Sequence, residues 1–80
     1  MNVEFDPEAD ALYITVSDAL VNRTEAFGLW RNVDYASDGT VVGVEILDPG
    51  SQGVDLGGLP HADAIARAIH AAGLKFPMRV

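Results

Sequence analysis

The sequence predicts an α+β protein: an antiparallel β-meander of four to five strands with one C-terminal α-helix packed on one face. Three observations lead there. Apolar residues alternate with period two as far as Leu47. Beyond about Leu59 they recur with a period near 3.6, the spacing of a one-sided helix. Between these stretches lie Pro49, Gly50, Gly53, Gly57 and Gly58, a composition that belongs to connections. Eighty residues make one domain. It divides into a meander over 1–47, a Gly-rich linker over 48–58, a helix over 59–73 and a tail over 74–80.

The first strand is short. Val3 and Phe5 alternate with Asn2, Glu4 and Asp6. Pro7 then sets a turn in which Asp6 and Asp10 can accept backbone N–H groups. Ala11 to Ser17 is the clearest strand, with Leu12, Ile14 and Val16 on one side and Tyr13, Thr15 and Ser17 on the other. Ser17 to Leu20 reads as a connection. Val21 to Phe27, carrying Arg23, Thr24 and Glu25, suits an edge strand. Trp30–Ala36 and Thr40–Leu47 form a hairpin around Asp38-Gly39, a pair that favours a two-residue turn. That turn places Tyr35 opposite Val42, Val33 opposite Val44, Asp34 opposite Gly43 and Asn32 opposite Glu45. A longer loop with a Gly bulge shifts the pairing by one residue. In the helix, Ala62, Ile65, Ala66, Ile69 and Ala72 form one stripe, and Gly73 suits its C-terminal cap. Phe76 and Met78 of the tail either tuck back or add a strand.

Twelve acidic residues against five Lys and Arg leave a formal charge of −7. That balance argues against electrostatic binding of nucleic acid or of an anionic membrane. With no cysteine, disulfides and thiolate metal sites are excluded. No apolar run approaches the roughly 20 residues of a membrane-spanning helix. The N-terminus lacks a basic-then-apolar signal pattern, so the expectation is a cytoplasmic protein. An acidic surface suits a basic protein partner.

One helix of about three turns covers only one face of such a sheet. The other face offers Tyr13, Trp30, Ala36, Val41 and Leu47, and exposed apolar area of this kind implies a partner. The simplest partner is a second copy, giving a homodimer through those five residues. The alternative is a monomer whose Gly-rich linker or tail covers Trp30 and Leu47.

Few residues suggest chemistry. Asp6, Glu8 and Asp10 alternate like the start of a calcium loop, but Ala11 and Ser17 stand where that loop needs Gly and Glu. His61 and His70 fall on opposite sides of a helix and cannot share an ion. No Ser–His–Asp set and no phosphate-binding Gly loop can be assembled. Asp34 and Glu45 are diagonal neighbours on one sheet face, roughly 5–8 Å apart. With Tyr13 and Asn32 they are the candidate ligand-binding set, able to share a proton or hold a divalent cation. The other reading is that they are solvated or hydrogen-bonded to neighbours. No catalytic residues and no cofactor are assigned.

The run Asp6-Pro7-Glu8-Ala9-Asp10-Ala11-Leu12-Tyr13-Ile14, then Asn32-Val33-Asp34-Tyr35, Asp38-Gly39 and Gly43-Val44-Glu45-Ile46-Leu47, resembles an uncharacterised family of small prokaryotic proteins, domain-of-unknown-function family twenty-two eighty-three. The resemblance covers about Val3 to Leu47. It implies a small β-rich protein with no established enzymatic activity. Some members are suspected antitoxin-like partners of small toxins. Carried over by position, the family's recurring polar residues are Asp6, Asp10, Tyr13, Asp34 and Glu45. The expected function is therefore a non-enzymatic, homodimeric protein-interaction module, antitoxin-like in its finer form. A small-ligand or divalent-metal site at Asp34 and Glu45 is the alternative.

Overall fold

The period-two segments become strands β1 (Asn2–Asp6), β2 (Ala11–Thr15), β3 (Arg23–Ala26), β4 (Arg31–Tyr35) and β5 (Val41–Leu47). The computed structural model describes residues 1–79, and Val80, the end of the expected tail, lies outside the described residues. The strands pair antiparallel in the order β1-β2-β5-β4-β3. Strands β3, β4 and β5 form a meander, and the β1–β2 hairpin docks on the free side of β5. The chain therefore crosses once, from β2 to the opposite edge, before β3 begins. The most apolar strand, β5, sits in the middle, where both its neighbours bury it. With the C-terminal helix this is the α+β class that the patterning implies.

The β4–β5 hairpin departs from a two-residue turn and then corrects itself. Ala36 N–H bonds to the Thr40 carbonyl, so Ser37, Asp38 and Gly39 form a three-residue loop. Gly39 takes a φ of 88°, which only glycine adopts without strain. Asp38 accepts the Thr40 N–H at 3.0 Å and its hydroxyl at 2.7 Å, and these bonds hold its carboxyl below the usual range. The longer loop pairs Tyr35 with Val41 rather than Val42. A bulge at this point absorbs the extra residue. Beyond it Asp34 faces Gly43, Val33 faces Val44 and Asn32 faces Glu45, the register that the two-residue turn implies. The carbonyl of Val42 accepts the N–H groups of Val16 and Ser17 at 2.8 and 3.1 Å, tying the bulge to the end of β2.

One face of the sheet carries the core. Leu12, Ile14, Val33, Val44 and Ile46 pack against Ile65 and Ile69 of helix α2 (Ala62–Ala71). Ala62 and Ala66 complete the helix stripe. Ala72 caps the helix and is exposed, while Gly73 turns with a φ of 77° and sends Leu74 back onto the core. The helix is shorter than 59–73 because His61 takes a left-handed conformation at its N-cap.

The stretch 48–58 is not a linker, and this corrects the sequence expectation. It holds helical turn α1 (Pro49–Gln52) and strand β6 (Val54–Asp55), which pairs parallel with β7 (Met78–Arg79). Val54, Leu56 and Leu59 are core residues. The glycines between them bend the chain so that these side chains reach the sheet. Arg31 fastens the segment down. It is largely buried, and its guanidinium donates to the carbonyls of Phe27, Asp55 and Gly57. The tail returns rather than trailing away: Phe76 meets Phe5 edge-on at 5.2 Å between centroids.

Candidate functional site

The second sheet face is built from a register of polar residues. Along one row Thr24, Asp34, Gly43, Thr15 and Asn2 follow across β3, β4, β5, β2 and β1. In the next row come Ala26, Asn32, Glu45, Tyr13 and Glu4. All four expected ligand residues, Tyr13, Asn32, Asp34 and Glu45, therefore share this face, and all four are half-buried.

Gly43 determines how they meet. It has no side chain, so the Tyr13 ring lies diagonally across β5 above it. A Cβ at this position would collide with the Tyr13 ring and hydroxyl. The phenol thereby reaches Asp34 and donates to Oδ2 at 2.7 Å. Thr24 donates to the other carboxylate oxygen, Oδ1, from the edge strand. Asn32 Nδ2 donates to Glu45 Oε1 at 3.0 Å. Burial, then the Asp34 hydrogen bond, then the charges of Asp34 and Glu45 push the Tyr13 phenol up to about 12. Tyr13 is therefore a neutral donor near neutral pH, and its proton holds the carboxylate in place.

Chemically the arrangement is a network satisfied from within. Both oxygens of Asp34 already accept hydrogen bonds. Among the described residues no group of three or more His, Asp or Glu converges on one point. Nor does any buried side-chain polar atom lack a partner among them. The face is a set of oriented, acidic hydrogen-bonding groups braced by one tyrosine.

The five expected interface residues fare differently. Val41 is a core residue, and Ala36 is 6% exposed, so both are enclosed by the chain itself. The bulge is the reason: it moves Val41 out of the alternation that places it on the polar face. Tyr13 is held in the network, and Leu47 is half-buried. Trp30 alone stays open, lining a cleft of about 290 Å³ with Phe27, Arg31 and Arg79.

Exposed apolar side chains gather elsewhere. Leu20 is 89% exposed and Leu29 82%, with Val21 also open. These residues flank β3, an edge strand exposed along its whole length. Sequence reasoning treats Ser17 to Leu20 as a bare connection. The available signal is the run Ala19-Leu20-Val21, apolar where a connection is ordinarily polar.

A family model described as Protein of unknown function (DUF2283) matches residues 2–48. The chain belongs to this family. The match coincides with the five-stranded sheet, so Tyr13, Asn32, Asp34 and Glu45 all lie within the family region. The segment after it, with Val54 of β6, Leu56, and Ile65 and Ile69 of α2, supplies the rest of the core. Comparison with curated proteins and with solved structures finds no match to the chain. No helix among the described residues is long and apolar enough to cross a membrane.

Proposed function

We propose that this member of the family is a non-enzymatic protein-interaction module that works as a homodimer. The observation that carries the reading is the exposure of Leu20 and Leu29 at the two ends of an open edge strand. Burying one such leucine is worth roughly 1.5–3 kcal/mol, so four of them across a symmetric contact are a substantial driving force. The polar face supports the same conclusion, because its carboxylates are bound to neighbours instead of being aimed at an open pocket. Light scattering over a range of micromolar concentrations tests it. The expected result is a dimer mass for the natural chain and a monomer mass for Leu20→Asp with Leu29→Asp. A natural chain that stays monomeric throughout overturns the proposal.

The charge of −7 adds a finer reading, a basic protein as the dimer's own partner, as in an antitoxin-like pair. A partner of this kind dissociates with rising salt. Salt-insensitive binding in a pull-down with the product of a neighbouring gene would count against it.

A further inference from the structure

The outer strand β3 has its own hydrogen-bonding logic. Phe27 N–H bonds to the Arg31 carbonyl at 2.9 Å. In an antiparallel ladder the backbone groups alternate in direction, so Arg23 and Glu25 also turn theirs toward β4. Thr24 and Ala26 turn theirs outward, and no strand lies beyond them among the described residues. The side chains of Arg23 and Glu25 share the face opposite Thr24. They pair with each other at 3.2 Å, both half-exposed, and Arg23 rests on the Tyr35 ring.

We propose that this edge pairs antiparallel with β3 of a second copy of the chain, with Thr24 on the two-fold axis, joining two five-stranded sheets into one. The proposal rests on the homodimeric reading and supplies its geometry. A two-fold axis perpendicular to the sheet keeps each face continuous. The registers that overlap most of β3 and match its outward backbone groups then number about three. One sets Arg23 against Arg23 of the second copy, and one sets Glu25 against Glu25. Both place like charges directly opposite, which is destabilising. The remaining register sets Arg23 against Glu25 of the second copy, twice over, with Thr24 facing Thr24.

The apolar flanks agree. Leu20 and Val21 precede β3 and Leu29 follows it, so antiparallel pairing brings the leading flank of one copy beside the trailing flank of the other. The opposite edge is unsuited to the same contact. Strand β1 carries Glu4 and Asp6 and no basic residue, so a second β1 would be repelled.

The chain has no native cysteine, so single-cysteine variants read the register directly. Thr24→Cys is expected to oxidise to a disulfide-linked dimer. Arg23→Cys and Glu25→Cys are not, because in this register like residues sit farther apart than the roughly 7 Å a disulfide tolerates between Cα atoms. In a second arm, Arg23→Glu and Glu25→Arg each weaken association by at least about tenfold, and the double reversal restores it. Suppose the chain is dimeric, yet Thr24→Cys fails to cross-link or the single reversals associate normally. Edge pairing then falls and the homodimer stands. A monomeric natural chain removes both.

Discussion

Replacing Gly43 by alanine separates two opposite expectations. In a strand interior alanine ordinarily stabilises relative to glycine, by roughly 0.5–1 kcal/mol. Here the new methyl group collides with the Tyr13 ring, which must leave its place. The phenol then loses Asp34, a hydrogen bond to a charged group worth about 1.5–3 kcal/mol when buried. Solvent access to this half-buried pair reduces that to about 1 kcal/mol. Steric rearrangement adds about 1–2 kcal/mol. The net expectation is a loss of about 2 kcal/mol, or a fall in Tm of roughly 8–16 °C for a domain of this size. The assay is thermal and urea unfolding of four proteins at one fixed concentration: the natural chain, Gly43→Ala, Tyr13→Ala and the double variant. In the Tyr13→Ala background the collision is gone, so Gly43→Ala becomes neutral or mildly stabilising. If Gly43→Ala is equally harmful with and without the tyrosine, or harmless in the natural chain, the account of this face is wrong.

Three further outcomes are expected. The Tyr13 phenol titrates at about 12 in the folded chain against an ordinary 10.0, so its stabilising contribution is complete below pH 10 and is lost as pH rises toward 12. The two-unit rise sets a ceiling of about 2.7 kcal/mol, which solvent access lowers to about 1; stability measured from pH 9 to 12 shows this decline, and Tyr13→Phe removes it. Arg31→Ala leaves the carbonyls of Phe27, Asp55 and Gly57 without their donor and lowers stability by about 2–3 kcal/mol in urea unfolding. Arg31→Lys recovers less than half of that, since an ammonium cannot span the same fork. Leu56→Ala opens a cavity in the core and is expected to lower stability by about 2–5 kcal/mol, whereas a linker residue would change it by less than about 0.5.

The candidate face was legible where the sequence alternates cleanly. Alternation alone puts Asn32 and Asp34 on one face and Gly43 and Glu45 on one face, while their pairing across the hairpin, argued from a two-residue turn, holds because the bulge offsets the longer loop. The bulge was hidden because Val41 and Val42 are both apolar, and two like neighbours carry no phase. Glycines at 50, 53, 57 and 58 masked the core role of Val54, Leu56 and Leu59, since the same composition serves a loose connection and a tightly bent core segment. The parallel contact of Val54–Asp55 with Met78–Arg79 joins distant segments and leaves no local trace. Tyr13 over Gly43 was readable in principle: a lone glycine inside a strand marks a place where something passes close above it.

The extra loop residue near Asp38 and the unpaired residue near Val42 are two insertions that cancel. Removing both would leave every side chain downstream on its present side of the sheet. Removing one alone is absorbed as well, since without Val42 the chain would alternate directly from Val41 to Gly43, still opposite Asp34. Straightening the bulge with no residue lost would instead slide the pairing by one, driving Glu45 toward the aliphatic interior and Ile46 toward water. Changes of one residue between Asp34 and Gly43 are thus tolerated by trading loop length against the bulge, whereas changes beyond Gly43 are not, a footprint that a comparison of gapped sequences can look for.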